Sequence, residues 1–404
     1  MLAFPVLLLL LAAYALIQLI PLPVDVWSSL PERTAIVEGW ALLGLSADRV
    51  FPISLSPSET RTALLGIVPP IAMFLVLCAV GWRRAIWPFF WLIPVLGAVS
   101  ALLGIAQVVS GNGAQLSWHD VANHGSAIGV FANANHQASF CLMCLPFTAA
   151  LAGRHRQDWN AGDDDVAIAI AIFGLFALNL VGVLAGGSVA GYLLLIPVGV
   201  FSAFLLFGIR TKEGQRPILL YATMAGSIAA AVVLVVSSPV LDGLGITSFG
   251  DGDLTRRGIW STSTEIATDQ LATGAGLGTF TEAYRLYEND SNITTRFVNN
   301  AHNDYLQIAA ELGVFGIALL GLGLSAFAIL FFQSWTTRID RDYRFRRAAS
   351  VALLVPILHS LVDYPVRTPA IACLVAVCFA IMVLPRNRIV EPKPTETRPG
   401  HVSI

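Results

Sequence analysis

Apolar residues fall into long blocks that are separated by shorter polar segments. Most blocks run for about 17–25 residues, the length that crosses the hydrocarbon core of a bilayer as an α-helix. The pattern predicts ten membrane-spanning helices, at residues 2–20, 58–81, 87–109, 136–153, 166–184, 187–208, 217–237, 304–335, 348–363 and 369–384. We therefore predict an all-α polytopic membrane protein, and we interpret the first block as a retained span rather than a cleaved signal peptide.

Composition supports a membrane protein. The 404 residues are 56% hydrophobic and only 12% charged, with a mean hydropathy of +0.71. A soluble domain carries about twice that share of charged residues, so we exclude a soluble globular protein and expect no nucleic-acid partner. All five cysteines lie inside apolar blocks without metal-ligand spacing. We predict no disulfide framework, no metal site and no cofactor.

Lysine and arginine concentrate in alternate connections between the predicted spans. These connections are residues 82–85, 154–156, 210–216 and 338–347, and further basic residues follow the last span. Because basic loops stay in the cytoplasm, the pattern predicts that both termini are cytoplasmic. We predict one membrane domain, residues 1–385, and a Pro-rich, disordered cytoplasmic tail, residues 386–404.

The longest polar segment, residues 238–303, lies on the predicted extracytoplasmic side. It is too long for a passive connection. It contains two helix-like stretches, residues 255–272 and 279–288, on either side of the sequence GAGLG. No strand precedes these glycines, so we interpret GAGLG as a turn rather than a nucleotide-binding loop.

Ionisable side chains inside the spans gather towards one face. His136, Glu311, His359 and Asp363 all lie within a few turns of the predicted extracytoplasmic side. An ionisable group costs free energy inside a bilayer and is usually paired or functional. We therefore predict a site at that face rather than at the middle of the membrane.

The stretch FVNNAHNDYLQIAAELGVFG, residues 297–316, leads polar residues directly into an apolar helix. Asn300 is a candidate N-cap, and Asp304 is expected in the first turn. His302 is then expected beside free backbone N–H groups at the positive end of the helix, which attracts anions and disfavours imidazolium. A neutral His302 is a candidate general base. The alternative is that it only anchors the helix at the membrane interface.

Three arginines are candidates for binding an anion. Arg256 and Arg257 precede Trp260, and Arg256 shares a helix face with Trp260 at i, i+4 spacing. Guanidinium groups match the oxygens of a phosphate, although they also snorkel to lipid headgroups. Arg367, in VDYPVRTP, has the same two interpretations, and Asp363 is its candidate partner.

The stretch GVFANANHQASF, residues 129–140, opens the fourth predicted span with amides. An amide offers a donor and an acceptor together, which suits sugar hydroxyls, although Asn135 is also a candidate N-cap. Together with an anion site and a base, these amides favour glycosyl transfer from a polyprenyl pyrophosphate sugar. The residues predicted to contact substrate are Asn133, Asn135, His136, Trp260, Asn303 and Asp363.

Three motifs give the chain a family resemblance. They are GVFANANHQAS, RRGIW followed by TGAGLGTF, and AHNDYLQIAAELGVFGI, in this order within roughly residues 50–385. With these motifs the chain resembles the O-antigen ligase and Wzy-type polymerase superfamily of bacterial envelope enzymes. The resemblance implies a GT-C-like membrane fold. It also implies that Arg256 rather than Arg257 binds pyrophosphate and that His302 is the essential histidine.

The resemblance further implies the reaction and its setting. Transfer is expected to be inverting and metal-independent, from an undecaprenyl pyrophosphate donor, at the periplasmic face of the bacterial inner membrane. The favoured acceptor is lipid A-core, as for a ligase, and the alternative is another carrier-linked glycan, as for a polymerase. Related proteins often carry an arginine where this chain has Val189, and we expect Arg367 to replace it.

Two alternatives lie outside the transferases. A transporter for the same lipid-linked glycan is expected to show polar residues near the middle of the membrane, broken helices and internal repeats. The apolar interiors of the predicted spans and the lack of a convincing sequence repeat disfavour it. A non-catalytic component of polysaccharide assembly stays open because Val189 takes the place of an arginine.

Overall fold

A computed structural model of the chain describes residues 3–44, 50–81, 87–110, 116–119, 123, 125–159, 162–208, 218–237, 256–288, 298–336 and 342–384. In chain order its elements are α1 (Ala3–Ile17), β1 (Pro21–Pro23), α2 (Val24–Ser28), α3 (Thr34–Leu42), β2 (Val50–Pro52), α4 (Pro57–Val80), α5 (Trp87–Val109), α6 (Ala134–Asp158), α7 (Asp163–Ala185), α8 (Val189–Phe207), α9 (Ile218–Ser237), α10 (Arg256–Asp269), α11 (Phe280–Tyr287), α12 (Asp304–Thr336), α13 (Tyr343–His359) and α14 (Pro369–Val383). A 3₁₀ turn, Pro365–Arg367, precedes α14.

The predicted helical character is confirmed. Each of the ten predicted spans falls on a helix, namely α1, α4 to α9, and α12 to α14. Five of these, α4, α5, α7, α8 and α12, are long and apolar enough to cross a membrane. The chain is therefore a multi-pass membrane protein, while the total of ten spans and their orientation stay predictions. The predicted tail, residues 386–404, and residues 238–255 and 289–297 of the long segment lie outside the described residues.

One small sheet departs from the all-α prediction. β1 and β2 pair antiparallel, with Leu22 opposite Phe51. The indole N–H of Trp27 donates to the carbonyl of Pro52 at 2.7 Å, and Trp40 stacks on Phe51. The sequence did not indicate this pairing because each strand has only three residues and contains proline, which is depleted from strands.

α6 is the central helix of the bundle. It packs against α5, α7, α8 and α13, and it is buried at nearly every position from Ala134 to Leu151. Small residues permit this close packing, because Gly182 of α7 lies against Cys141 of α6 with no room for a side chain. The polar residues that open α6 are therefore held inside the protein rather than facing lipid.

The bundle has two polar ends. α6 contains 25 residues and so extends for roughly 37 Å. We call the end where α6 and α12 begin and α13 ends the histidine end, and the opposite end the arginine end. At the arginine end, Nε of Arg344 donates to the Leu205 carbonyl at 2.8 Å, and Nε of Arg347 donates to the Ser334 carbonyl at 3.1 Å. These arginines cap the carboxyl ends of α8 and α12, where the helix dipole favours a cation.

α12 breaks at Gly313, where φ is 58° and ψ is −146°. The break interrupts helical hydrogen bonds, and another segment replaces them. The carbonyl of Ala310 accepts from the N–H of Ala275 at 2.9 Å, and the carbonyl of Glu311 accepts from the N–H of Gly276 at 3.0 Å. Both donors belong to GAGLG, which is a turn, as predicted. Through these hydrogen bonds, the turn holds α10 and α11, the two helices predicted in this segment, against α12.

Candidate active site at the histidine end

His302 stands just before α12 in a left-handed backbone conformation. Its φ of 50° is one of two positive values among the described non-glycine residues. The side-chain Oδ1 of Asn303 accepts from the N–H of Leu306 at 3.1 Å, so Asn303 is the N-cap of α12. The prediction that Asn300 caps this helix is wrong, because the left-handed residue separates Asn300 from the first turn. The same turn holds a largely buried imidazole at the start of the helix.

The carboxylate of Asp363 gathers polar side chains from α6 and α12. It is fully buried in the turn after α13, where its N–H donates to the carbonyl of His359 at 3.0 Å. Its Oδ1 lies 3.4 Å from Nδ1 of His302 and 3.9 Å from Nε2 of His136, and its Oδ2 accepts from Nδ2 of Asn135 at 2.5 Å. A carboxylate at Nδ1 favours the tautomer that leaves Nε2 of His302 with a lone pair. We call Asp363 with His136, His302 and His359 the histidine cluster.

Two further side chains complete the surroundings of the histidine cluster. Tyr364 lies edge-on to the imidazoles of His136 and His302, with ring centroids 4.9 and 5.1 Å apart. Nδ1 of His359 lies 2.6 Å from Oγ of Ser139. Burial raises the pKa of Tyr364 to about 12, so its phenol stays neutral at physiological pH and keeps its proton for donation.

Arg256 and Trp260 approach the histidine cluster from α10. Arg256 is only 9% exposed, and its charge acts electrostatically on His359. Within the described part of the chain, Nε of Arg256 and Nε1 of Trp260 have no hydrogen-bond partner. Trp260 packs with Ala190 and Val362, which ties α10 to α8 and to the turn after α13. Buried donors without protein acceptors indicate a place for an acceptor-rich ligand.

Arg367, by contrast, is already paired. Its Nε donates to Oδ1 of Asp304 at 3.1 Å, and its Nη2 donates to Oε2 of Glu311 at 3.2 Å. Burial alone lowers the pKa of Arg367, but Glu311 and Asp304 raise it above its ordinary value. The partner considered from the sequence, Asp363, contacts His302 instead. Arg367 therefore balances two carboxylates at the start of α12.

Comparison with known families identifies part of the chain. Residues 174–321 match the Wzy_C family, which is described as O-antigen ligase. This segment is therefore similar to the O-antigen ligase domain of that family. The resemblance to the O-antigen ligase and Wzy superfamily is thereby confirmed, and it supports a glycan function of the ligase or polymerase type. No curated protein matches the chain.

The matched segment supplies only part of the candidate site. It runs from α7 into the first half of α12 and contains Arg256 and His302. His136 comes from α6, before the match, whereas His359 and Asp363 come from residues after it. The matched segment therefore shares the candidate site with the helices on both sides.

The amides predicted to bind substrate all make contacts within the protein. Asn133 caps α6, because its Oδ1 accepts from the N–H of Asn135 at 2.8 Å. The alternative that Asn135 is the cap is wrong, and the side chain of Asn135 is instead directed at Asp363. Asn303 caps α12 in the same way. Their roles in binding substrate, like the roles of the other site residues, stay predictions.

The sequence did not single out Tyr364, Ser139 or Gln307. Gln307 lies on α12 and donates from Nε2 to Oε1 of Glu311 at 2.9 Å. A signal was present in the spacing, since each of the three lies one to four positions from a predicted ionisable residue. At helical spacing of three or four, such neighbours share a face.

A resident metal ion was not expected. Among the described residues, no group of His, Cys, Asp and Glu side chains is arranged to hold one. The oxygens of Asp363 contact His302, Asn135 and the N–H of Tyr364. Metal-independent transfer and the lack of a cofactor stay predictions.

Proposed function

We propose that this protein transfers a glycan from an undecaprenyl pyrophosphate carrier to an acceptor hydroxyl at the histidine end, with lipid A-core as the favoured acceptor. The observation that carries the proposal is the 3.4 Å contact between Nδ1 of His302 and the buried carboxylate of Asp363. A buried Arg256 stands nearby, and both His302 and Arg256 lie in the segment that matches the O-antigen ligase family. A base and an anion-binding group are the two elements that such a transfer needs.

His302 acts as the general base. Its Nε2 takes the proton of the acceptor hydroxyl, and Asp363 stabilises the resulting imidazolium through Nδ1–H. The acceptor oxygen forms a bond to the anomeric carbon while the bond from that carbon to the pyrophosphate oxygen breaks. The electron pair leaves with the carrier pyrophosphate. Attack from the side opposite the leaving group inverts the anomeric configuration.

Arg256 binds the leaving pyrophosphate. Its guanidinium offers donors in a fork that matches phosphate oxygens. In a buried site, such donors stabilise the charge that develops on the leaving group. Trp260, Asn303 and the amides at the start of α6 then contact the sugar.

Arg367 is a weaker candidate for the same anion. To bind pyrophosphate it has to exchange Asp304 or Glu311 for the ligand, and Glu311 is fully buried. Leaving a buried carboxylate without its cation is unfavourable. We therefore assign the first pyrophosphate contact to Arg256 and keep Arg367 as a second contact to be tested separately.

A polymerase is the closest alternative, because it uses the same donor chemistry with a carrier-linked glycan as acceptor. One observation agrees with the alternative of a transporter, namely the break in α12 at Gly313. However, the turn GAGLG fills that break with hydrogen bonds. The break thus favours a fixed scaffold over a transport pathway.

The deciding experiment is the glycolipid profile of a strain that lacks this gene, resolved by gel and mass spectrometry. The strain is complemented with the wild type, with His302→Ala, or with His119→Ala as a matched control, since His119 is exposed and outside the histidine cluster. We expect His302→Ala to insert normally and to transfer nothing, whereas His119→Ala restores the wild-type profile. An active, normally expressed His302→Ala protein refutes the base assignment.

The same profile separates ligase from polymerase. Uncapped lipid A-core, with long glycan still on the polyprenyl carrier, indicates a ligase. Loss of long chains, with single repeats left on the core or the carrier, indicates a polymerase.

A further inference from the structure

A large apolar groove lies away from the histidine cluster, among α6, α7 and α8 towards the arginine end. Its volume is about 960 Å³. α7 and α8 both pack along α6 but hardly touch each other, so they leave a wedge whose floor is α6. The walls carry Ile172, Phe176, Leu195 and Val198. A cleft of this composition, open to the bilayer, suits a hydrocarbon chain.

The groove has a basic mouth in the last turns of α6. His155, Arg156 and Trp159 line it there. Arg156 is exposed, with its guanidinium carbon 5.7 Å from the ring centre of Phe207, and the described residues place no carboxylate within ion-pair distance of it. The neighbouring Arg154, in contrast, is paired with acidic side chains. Arg156 is thus a cation whose charge is available at the end of an apolar groove.

We propose that this groove binds an anionic phospholipid from the membrane leaflet at the arginine end. One acyl chain lies on α6 between α7 and α8, and the phosphate contacts Arg156. Basic pockets between membrane helices recognise anionic headgroups in this way, and Trp159 stands where tryptophan prefers the interface. An anionic headgroup is favoured over a zwitterionic one because it brings no cation of its own towards Arg156. The inference does not depend on the proposed glycan transfer.

Two glycines provide a matched test of the groove. Gly199 of α8 lines it, and a side chain added there meets no described atom within 4 Å. Gly199→Leu therefore fills the groove without a clash inside the protein. Gly174 of α7 has equally open surroundings but is not among the groove residues, so Gly174→Leu is the control.

The experiment is native mass spectrometry of the full-length protein in detergent, titrated with phosphatidylglycerol and, separately, with phosphatidylcholine. We expect the wild type and Gly174→Leu to retain one phosphatidylglycerol in preference to phosphatidylcholine, and Gly199→Leu to lose it. Arg156→Gln is expected to weaken phosphatidylglycerol binding about fivefold, while Arg61→Gln, a change of an exposed arginine on α4, leaves it unchanged.

Three results overturn the proposal. The first is Gly199→Leu binding phosphatidylglycerol as the wild type does. The second is equal retention of phosphatidylcholine and phosphatidylglycerol by the wild type. The third is displacement of phosphatidylglycerol by undecaprenyl phosphate at lower concentration, which assigns the groove to the carrier lipid instead. If Gly199→Leu fails to fold, the fivefold effect of Arg156→Gln, with Arg61→Gln as control, decides the question.

Discussion

Arginine and histidine side chains occupy both ends of the helix bundle, but their partners differ. At the arginine end, Arg344 and Arg347 donate to helix carbonyls and lie against the ring of Tyr343. At the histidine end, Nε of Arg256 and Nε2 of His359 have no hydrogen-bond partner in the described part of the structure. A buried polar group left without a protein partner is costly unless a ligand supplies one.

The difference indicates which polar side chains stabilise the fold and which are candidates for contacting a substrate. At the arginine end, Arg344 and Arg347 already donate to carbonyls and hold helices together. At the histidine end, Nε of Arg256 has no acceptor in the described part of the chain, and we propose that a substrate supplies one. Variants at the two ends should therefore differ in kind, with activity lost at one end and stability lost at the other.

Asp363→Asn is expected to have the largest effect on activity. The amide keeps the shape of the side chain but removes the charge that we propose stabilises imidazolium on His302. Transfer should fall by roughly 10²–10⁴-fold, the usual contribution of general-base catalysis. The measurement is the transfer rate of purified protein with donor and acceptor lipids, normalised to the amount of folded protein.

The control for this variant lies at the other end. Asp342→Asn removes a carboxylate that pairs with Arg154 at 2.8 Å at the arginine end. We expect its transfer rate per folded molecule to match the wild type. Retention of more than a tenth of the wild-type rate by Asp363→Asn would contradict the proposed role of this carboxylate.

The Arg367–Glu311 pair lies at the histidine end, yet both side chains are paired within the protein. Variants of this pair therefore test stability and transfer together. Arg367→Gln leaves a fully buried Glu311 without its cation, which typically costs about 3–5 kcal/mol of the free energy of unfolding. The double variant with Glu311→Gln should recover part of that stability, measured by unfolding in detergent, because Asp304, the second carboxylate partner of Arg367, still lacks its cation. We also expect transfer per folded molecule to recover, because the unpaired charge of the fully buried Glu311 is then removed. A stable but inactive double variant would instead support Arg367 as a pyrophosphate contact.

Arg256→Gln is expected to reduce transfer by roughly 10²–10³-fold, the effect of removing one donor to a developing anion. Its neighbour provides the matched control, since Arg257→Gln changes the charge of the chain equally at the next position. Initial rates at saturating donor compare the two variants. Equal losses in both would indicate a general effect of positive charge and would remove the specific assignment to Arg256.

The helices were predictable from the sequence because each depends on a local run of apolar residues. The gathering of His136, Glu311, His359 and Asp363 near one face was predictable for the same reason, since position along a span sets depth in the membrane. The partners were not predictable. Asp363 contacts His302 and Arg367 contacts Glu311 only because α12 and the turn after α13 pack together in three dimensions.

The wrong cap prediction has a backbone cause. Asn300 and Asn303 are equally good capping residues by type, and the choice between them depends on the left-handed conformation of His302. The sequence does not indicate a left-handed conformation at a non-glycine residue, because such a residue adopts it only at a cost in free energy. Such a departure from local preference at the candidate base agrees with the tendency of strained residues to occur at functional sites.

Arg347→Gln is expected to have the smallest effect and to complete the comparison between the ends. The change removes donation to the carbonyls of Ser334 and Trp335 and the cation–π contact with Trp335. Charged hydrogen bonds of this kind contribute about 1.5–3 kcal/mol, so the midpoint of unfolding in detergent should fall measurably. Arg61→Gln, at an exposed position on α4, should change stability by no more than about 0.5 kcal/mol.

Because Arg347 lies at the arginine end, transfer per folded molecule should not change in Arg347→Gln. A loss of transfer at unchanged stability would mean that the arginine end takes part in the reaction, and the division between the two ends would fail.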